Sequence, residues 1–350
     1  MHSIRKLLSF QGIGALSHLN CTEKKSSLLF VKPTTSYCSP PTQSTIASMQ
    51  TLSKEILLLE MKKSIPILSN SLHKGESGRI GVIGGSLEYT GAPYFAAISA
   101  LRVGCDLVHV FCMKEAAPVI KSYSPELIVH PLLDSSNALK AISEWLPRIH
   151  ALIIGPGLGR DEATFKVLGP IINHAKELKI PLVIDADGLF YINSNHHIIQ
   201  NCTNVILTPN TIEFTRLYKA IMGITIDPSQ PVQPEDVGAL AKKLGHVTIL
   251  QKAEKDIITN GININICEKM GSPRRCGGQG DLMSGMLATF LYWKTHDQYS
   301  HEVTLSAAAA AAHLSRMINR KAFEIHGRGT LASDMIPYIP ECFRSLFNQE

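Results

Sequence analysis

The sequence predicts an α/β protein with a doubly wound, mostly parallel sheet and helices on both faces. From about residue 79 onward, short runs rich in β-branched residues alternate with longer stretches of helical periodicity. The short runs are apolar throughout, which is the pattern of strands that are buried on both faces of a parallel sheet. The chain has 350 residues, 45% of them hydrophobic and 18% charged, and can therefore enclose a large core.

Seven runs are predicted as strands of the parallel sheet. They are, in chain order, Arg79–Ile83, Leu107–Cys112, Leu127–His130, Ala151–Ile154, Leu182–Ile184, Asn204–Leu207 and Val247–Leu250. Two further strands, Asp256–Thr259 and Ile262–Cys267, are predicted to form a hairpin, because the turn-forming pair Asn260-Gly261 separates them.

Seven stretches are predicted as helices. They are Pro93–Val103, Glu162–Leu178, Ile212–Met222, Pro234–Leu244, Leu282–Trp293, Val303–Asn319 and Leu331–Leu346. We expect the last one to break near Pro337 and Pro340, because a proline inside a helix removes a hydrogen bond and clashes with the preceding turn.

The first 48 residues differ from the rest of the chain in composition. They hold five basic residues and one acidic residue, and fourteen of them are Ser or Thr. A basic, hydroxyl-rich segment that is almost free of acids is typical of an organelle transit peptide, for a plastid or a mitochondrion. The alternative is a disordered extension without a targeting role. We expect residues 49–350 to form a single domain, and Met49 to be the start of a shorter, cytosolic form.

The charge and cysteine patterns narrow the function classes. Most of the net charge of +5 lies in the first 48 residues, so the charge does not indicate a nucleic-acid partner for the folded part. No run approaches 18 apolar residues, so no membrane span is predicted. The eight cysteines are scattered without a C-x-x-C pair, which indicates reduced thiols. The sequence leaves open whether the protein is a homo-oligomer.

Polar or glycine-rich segments follow five of the predicted strands. They are Gly84-Gly85-Ser86, Gly155-Pro156-Gly157-Leu158-Gly159-Arg160, Asp185-Ala186-Asp187-Gly188, Thr208-Pro209-Asn210 and Lys252. Ligands of open α/β sheets bind beyond the carboxyl ends of the strands, so these segments predict one large site at that edge.

The segment Arg274-Arg275-Cys276-Gly277-Gly278-Gln279-Gly280-Asp281 carries the clearest chemical signal. Its three glycines precede a helix, where backbone N–H groups and the helix N-terminus can hold an anion such as a transferring phosphoryl group. An aspartate at this place can serve as the base that accepts a proton from an attacking hydroxyl. It can also be a plain N-cap of the helix. The chain has no GxxxxGK[ST] loop, and Gly155-x-Gly157-x-Gly159 is only half of a dinucleotide fingerprint.

Taken together, the motifs resemble those of the ATP-dependent NAD(P)H-hydrate dehydratases, which belong to the ribokinase-like superfamily. Gly277–Asp281 resembles the GxGD signature of the superfamily. The segments that resemble the dehydratases themselves are Gly84-Gly85-Ser86, Tyr89–Ala97, Gly155–Arg160, Asp185–Leu189 and Thr208-Pro209-Asn210 with Glu213-Phe214. The resemblance covers roughly residues 55–345.

The resemblance implies the reaction. Such an enzyme uses ATP, with Mg²⁺, to convert the S epimer of hydrated NADH or NADPH (NADHX or NADPHX) back to the reduced cofactor, with ADP and phosphate as the other products. A separate NAD(P)H-hydrate epimerase is expected to act beside it, because the residues before position 79 are too few for a fused epimerase domain. Two other functions stay open: a vitamin-precursor kinase of the same fold, and a nucleotide-binding sensor without catalytic activity.

The resemblance also implies roles for individual residues. Asp281 would be the catalytic base, with Gly277, Gly278 and Gly280 holding the moving phosphoryl group. The hydrate would be bound by Gly157, Asp281 and the run Asn210, Thr211, Ile212, Glu213, Phe214, Thr215 and Arg216. ATP would be bound by Lys252, Ala253, Glu254, Lys255 and Asp256, and by Gly271, Ser272, Pro273, Arg274, Arg275, Cys276, Gly277, Gly278, Gln279 and Gly280. No protein side chain is implied as a direct metal ligand.

One position departs from the pattern of the bacterial relatives, which tend to have Lys-Gly where this chain has Lys252-Ala253. Alanine does not adopt positive φ angles cheaply. We therefore expect the nucleotide loop to differ locally at Ala253.

Overall fold

A computed structural model describes residues 49–295 and 301–348 of the chain. In this part of the chain one ten-stranded sheet is built from β1 (Gln50–Thr51), β2 (Arg79–Ile83), β3 (Leu107–Cys112), β4 (Ile128–Pro131), β5 (Ala151–Ile154), β6 (Leu182–Ile184), β7 (Val205–Leu207), β8 (Thr248–Gln251), β9 (Asp256–Thr259) and β10 (Asn263–Cys267). The predicted transit peptide, residues 1–48, lies outside the described residues.

The strand order β1-β10-β9-β8-β7-β6-β5-β2-β3-β4 explains where a ligand can bind. The seven strands from β8 to β4 are parallel, and β9 is antiparallel to both of its neighbours, β8 and β10. The chain winds outward from β2 to β4, then returns to β5 beside β2 and winds the other way. The order therefore reverses between β2 and β5, and a crevice opens at the carboxyl ends of these strands.

Helices cover both faces of the sheet, as predicted. They are α1 (Lys54–Lys63), α2 (Gly91–Val103), α3 (Ala117–Tyr123), α4 (Ala138–Ser143), α5 (Glu162–Glu177), α6 (Ala186–Asn195), α7 (Thr211–Met222), α8 (Pro234–Lys243), α9 (Gln279–Thr295), α10 (His301–His326), α11 (Ala332–Met335) and α12 (Ile339–Phe347). Helices α4 to α8 pack in one hydrophobic core and the other helices in a second core on the opposite face. Successive side chains of a strand enter different cores; in β5, for example, Ile153 belongs to one and Ile154 to the other.

All seven predicted parallel strands, the hairpin and the seven helical stretches are confirmed, with end points that differ by a few residues. The last stretch breaks as expected, because Pro337 lies in the 3-10 turn Ile336–Tyr338 and Pro340 lies in the first turn of α12. The sequence did not reveal β1, α1, α3, α4 and α6. The four missed helices have ten residues or fewer, which is too short for a clear helical period, and the short strand β1 is defined mainly by its pairing with β10.

Helix α9 begins three residues earlier than predicted, at Gln279 instead of Leu282. Asp281 is therefore the third residue of the helix and not its N-cap. Its position leaves the carboxylate available for a role other than capping.

The cysteines of the described part, at positions 105, 112, 202, 267, 276 and 342, are free thiols. Within the same residues no helix is long and apolar enough to cross a membrane.

Candidate active site at the carboxyl edge of the sheet

The crevice between β2 and β5 is shaped by the glycine segments that follow these strands. The Gly85 N–H donates to the Gly157 carbonyl at 3.0 Å and thereby ties the two segments together. Gly157 has a φ of +60°, and a Cβ at this position would lie 2.5 Å from the Tyr89 carbonyl oxygen. Only glycine fits here, so Gly157 brings the β5 segment, which is predicted to contact the hydrate, against Tyr89.

The loop before α9 depends on a second glycine. Gly278 has a φ of +92°, and a Cβ there would lie 2.7 Å from Ala332 Cβ and from the Phe95 ring. The Gly278 carbonyl accepts the first hydrogen bond of α9, from Leu282 N at 2.9 Å. The N–H groups of the first turn have no partner within a helix, so this turn presents donors and the positive end of the helix dipole to an anion.

Four ionisable side chains meet beside this turn, and we call Asp185, Glu213, Lys252 and Asp281 the charged cluster. The Lys252 ammonium lies 2.7 Å from Asp185 Oδ1. A Cβ on Gly280 would lie 3.1 Å from Lys252 Nζ and 3.9 Å from Asp185 Oδ2. The cluster therefore joins the carboxyl ends of β6 and β8 to the first turn of α9.

The members of the charged cluster change each other's pKa values. Burial raises the pKa of Asp281 to about 7, the Asp185 charge adds to this rise, and the Lys252 charge opposes it. Burial raises the pKa of Glu213 as well. Burial alone would lower the pKa of Lys252, but the Asp185 and Glu213 charges outweigh it and hold this pKa above its ordinary value. Burial also works to raise the pKa of Asp185, yet the Lys252 charge outweighs it and holds this pKa low.

These shifts give the two aspartates different protonation states near neutral pH. Asp185 is a carboxylate paired with an ammonium ion. Asp281 changes between its protonated and ionised forms close to pH 7, which is the property that a general base needs.

A cavity of about 1210 Å³ opens next to the charged cluster, between the β9–β10 hairpin, the loop before α9 and the helix α10. Most of the residues predicted to bind ATP line it: Lys252, Ala253, Glu254, Lys255, Asp256, Gly271, Ser272, Pro273, Arg275, Cys276, Gln279 and Gly280. The cavity is large enough for a nucleotide. Asn210, Thr211 and Ile212, predicted to bind the hydrate, line the same cavity.

Arg316 of α10 fixes the wall of this cavity, and the sequence did not reveal it. Its Nε donates to Asp256 Oδ2 at 2.8 Å, and its other nitrogens donate to the carbonyl groups of Glu254, Lys269 and Ala253. The other Asp256 oxygen accepts from Ala253 N at 3.0 Å. Asp256 is thus an internal partner of the nucleotide loop. Ala253 does not have a positive φ, in keeping with the cost of that conformation for alanine, and the expected local difference from the loop of the bacterial relatives stays a prediction.

The two arginines of the glycine motif, both predicted to bind ATP, have different surroundings. Arg274 Nε donates to the Thr330 carbonyl at 3.2 Å, and the Arg274 side chain does not line the cavity. Arg275 lines the cavity, but it also donates to the Ser272 carbonyl at 2.5 Å. Both guanidinium groups thus hold the backbone of their own region, and only Arg275 faces the nucleotide side.

The run 210–216 divides among three environments. Asn210 and Glu213 form a capping box at the start of α7, in which each side chain accepts from the other residue's backbone N–H at 2.9 and 2.8 Å. Glu213 and Arg216 border a second, small cavity of about 80 Å³ with Arg160 and Asp187.

Two residues of this run turn their side chains inward, and their contact with the hydrate stays a prediction. Phe214 is 0% exposed and packs in the core against Tyr218, and Thr215 is buried with its hydroxyl bonded to the Ile212 carbonyl. Residues 214 and 215 face the sheet because α7 is amphipathic, and a contiguous sequence motif cannot reveal which of its residues turn inward.

Comparisons with known proteins agree with this site. A sequence model described as NAD(P)H-hydrate dehydratase matches residues 80–341. Proteins named ATP-dependent (S)-NAD(P)H-hydrate dehydratase are similar over most of the chain: the Danio rerio protein is 51% identical over 82% of this chain and 88% of its own, and the Homo sapiens protein is 49% identical over 82% and 83%.

Solved structures show the same fold. A ribokinase-like superfamily protein from Enterococcus faecalis covers 86% of this chain and 98% of its own, with a TM-score of 0.69 and 21% identity. The ADP/ATP-dependent NAD(P)H-hydrate dehydratase from Bacillus subtilis, co-crystallised with ATP/Mg²⁺, covers 85% and 99%, with a TM-score of 0.63 and 21% identity. With the family model spanning most of the chain and relatives near 50% identity, the chain belongs to the NAD(P)H-hydrate dehydratase family.

Proposed function

We propose that this protein uses ATP to dehydrate the S epimer of hydrated NADH or NADPH, with reduced cofactor, ADP and phosphate as products. The observation that carries the proposal is the position of Asp281, a carboxylate with a pKa of about 7 beside a helix N-terminus and the Lys252 ammonium. The relatives that share half of the sequence are named for this ATP-dependent activity and for this epimer.

The first step is a phosphoryl transfer to the hydroxyl group on the hydrated ring. Asp281 accepts the hydroxyl proton while the oxygen forms a bond to the γ-phosphorus and the bond from that phosphorus to ADP breaks. The first-turn N–H groups of α9 and the Lys252 ammonium stabilise the charge on the transferring group.

The second step is an elimination. Phosphate is a much better leaving group than hydroxide, and it departs with the electrons of the ring C–O bond. The adjacent ring carbon then gives a proton to water, and the electrons of its C–H bond form the double bond of the dihydropyridine. A kinase-like site can thus perform a net dehydration.

The two substrates would occupy neighbouring parts of the carboxyl edge. ATP takes the large cavity, with its γ-phosphate toward Gly280 and Lys252 and its other end toward Arg316 and the hairpin. The hydrated ring takes the crevice at Gly157 and Tyr89. Asp281 belongs to α9, whose N-terminus adjoins both places.

Mg²⁺ is proposed to enter with ATP, bound chiefly by phosphate oxygens and water, as this small ion prefers. In residues 49–295 and 301–348 no group of three or more His, Cys, Asp or Glu side chains is arranged to hold a metal ion. When bound, Mg²⁺ would neutralise part of the phosphate charge.

Four further proposals complete the functional picture. The R epimer needs a separate epimerase, because the name of the relatives specifies the S epimer. The composition of residues 1–48 supports import into a plastid or mitochondrion, with a cytosolic form that starts at Met49. The continuous sheet supports a single domain from residue 49 onward. Assembly into a homo-oligomer is compatible with exposed apolar side chains on α1, such as Ile56 and Leu59.

The direct test mixes purified protein with ATP, Mg²⁺ and the S epimer of NADHX, and follows the near-ultraviolet absorbance of NADH. Recovery of this absorbance with equal amounts of ADP and inorganic phosphate supports the proposal. A stable phosphorylated product from an alcohol substrate would instead show a small-molecule kinase. Binding of ATP without turnover of either kind would show a sensor.

A further inference from the structure

Each carboxylate oxygen of Asp185 accepts a hydrogen bond from within the protein. The residue is 2% exposed at the carboxyl end of β6. Its Oδ1 accepts from Lys252 Nζ at 2.7 Å and from Ala186 N at 2.9 Å, and its Oδ2 accepts from Ser284 Oγ at 2.5 Å. These bonds make Asp185 a group that orients the side chains and backbone around it.

Lys252 is the partner of Asp185 that reaches the site. Its backbone is fixed, since Lys252 N donates to the Pro209 carbonyl at 2.8 Å and the residue bridges to Asn210 beyond the end of β7. Its side chain is 19% exposed and lines the large cavity. An ammonium group has three N–H donors, and one of them goes to Asp185, so two can point at phosphate oxygens beside Gly280.

Ser284 connects this pair to α9. It lies one turn after Gly280, is 0% exposed, and has its Oγ 3.1 Å from the Gly280 carbonyl as well as 2.5 Å from Asp185. A hydroxyl has one hydrogen, and the shorter contact with a charged acceptor is the stronger bond. The bond therefore sets the distance between Asp185 and the first turn of the helix that bears Asp281.

We propose that Asp185 and Ser284 are positioning residues, which hold the Lys252 ammonium against the first turn of α9 in the place where the phosphoryl group is transferred. The inference rests on the proposed function. A long, flexible lysine side chain loses much rotational freedom when it is fixed, and a buried carboxylate that keeps it in place before ATP arrives removes this loss from the reaction. A buried ion pair is by itself weak evidence for a stabilising role. This pair lies beside the first turn of α9, and that location indicates a role in phosphoryl transfer.

The first test uses Ser284→Ala, with Ser306→Ala as the matched control. Ser306 is also a buried helical serine, and its hydroxyl donates to the Glu302 carbonyl four residues earlier at 2.8 Å. For Ser284→Ala we expect kcat to fall about tenfold, the equivalent of one charge-assisted hydrogen bond. We expect ATP affinity, measured by calorimetry without hydrate, to change less than about threefold, because the charges at the site are unchanged. Ser306→Ala should keep the wild-type kcat.

The second test uses Asp185→Asn and the pH dependence of kcat/KM. Three charged groups face the Asp281 carboxylate: Asp185 after β6, Glu213 in the first turn of α7, and Lys252 after β8. The Asp185 charge raises the pKa of Asp281, so its removal should move the acidic limb of the profile to lower pH by about one unit. If Asp185 only supported the fold, its substitution would lower kcat/KM at every pH and leave the acidic limb of the profile at the same pH.

The inference is overturned if Ser284→Ala and Ser306→Ala have the same kcat, or if Asp185→Asn leaves the acidic limb unmoved. It is also overturned if Ser284→Ala loses ATP affinity and kcat to the same extent. The wild-type protein is measured in the same hydrate assay. If the wild-type protein shows no turnover, the proposed function is refuted. If the wild type is active and the variants keep its kcat and pH profile, only the positioning role is refuted.

Discussion

The charged cluster and the histidine pair His109 and His130 lie on the same sheet, but burial has opposite outcomes for their charge states. In the cluster, Asp185 and Lys252 carry opposite charges and each stabilises the ionised form of the other. His109 Nδ1 lies 3.0 Å from His130 Nε2, and Trp145 packs against both rings. Burial lowers the pKa of His109 to about 4, and positive charge on His130, Arg79 and Arg148 adds to this effect.

The difference shows what a buried polar group needs in order to stay charged. A counter-ion in contact keeps an ion in the interior, and without one the group becomes neutral. Asp185 and Lys252, at the carboxyl ends of β6 and β8, therefore stay ionised beside the candidate site. The two histidines on β3 and β4 form a neutral hydrogen-bonded pair. Asp281 lies between these cases, because it faces one positive and two negative neighbours.

The largest expected effect follows from Asp281→Asn. This change keeps the shape of the side chain and removes the base, so we expect kcat to fall by about 10³-fold. ATP should still bind, and the free energy of unfolding should rise, because the neutral amide is not repelled by Asp185 and Glu213. Turnover, calorimetry and thermal unfolding measure the three quantities. Near wild-type turnover would show that Asp281 is not the base.

The next effect compares the two clusters directly. Lys252→Met leaves the Asp185 carboxylate buried without its counter-ion, which should cost about 3 kcal/mol of unfolding free energy at pH 7. His130→Phe removes one partner of a neutral pair, and we expect a cost of about 1 kcal/mol. Urea unfolding of both variants tests the contrast. Equal costs would mean that charge is not what distinguishes the two clusters.

The backbone beside the charged cluster gives a third test. Gly278→Ala forces a side chain into a positive φ and against Phe95 and Ala332, so we expect a loss of about 2 kcal/mol in stability. Turnover should fall with it, because the first turn of α9 is displaced. Gly277→Ala is the matched control, since a Cβ there meets nothing within 4 Å. If both variants behave alike, the geometry at Gly278 does not set the anion hole.

The smallest effect belongs to the histidine pair. The pKa of His109 is lower in the folded protein than in the unfolded chain. The free energy of unfolding is therefore highest above pH 6.5 and declines as the pH falls toward 4. We expect a loss of about 1 kcal/mol between pH 7 and pH 5.5. His109→Phe should flatten this dependence and leave the pH profile of turnover unchanged. A steeper slope in the variant would contradict the assignment to His109.

The sequence predicted the fold and the edge that bears the site because those features follow from local patterns. Apolar runs mark buried strands, and the glycine motif marks a helix start near an anion. What it could not predict are contacts between distant segments. Ser284 and Arg316 lie in helices whose residues give no local sign of a functional contact, and their roles appear only when α9 and α10 pack beside Asp185 and Asp256. The inward turn of Phe214 is likewise a consequence of packing.

The short strand β1 sets a limit on how far the amino-terminal region can be trimmed. Gln50 and Leu52 donate their N–H groups to the carbonyl groups of Ile262 and Ile264, and the Met49 side chain is buried against Gly238. Proteolysis before Met49 would spare these contacts. A cut after Leu52 would bare the edge of β10, and an unprotected strand edge recruits other chains. A truncated chain that begins at Met49 or earlier therefore keeps the edge of β10 covered.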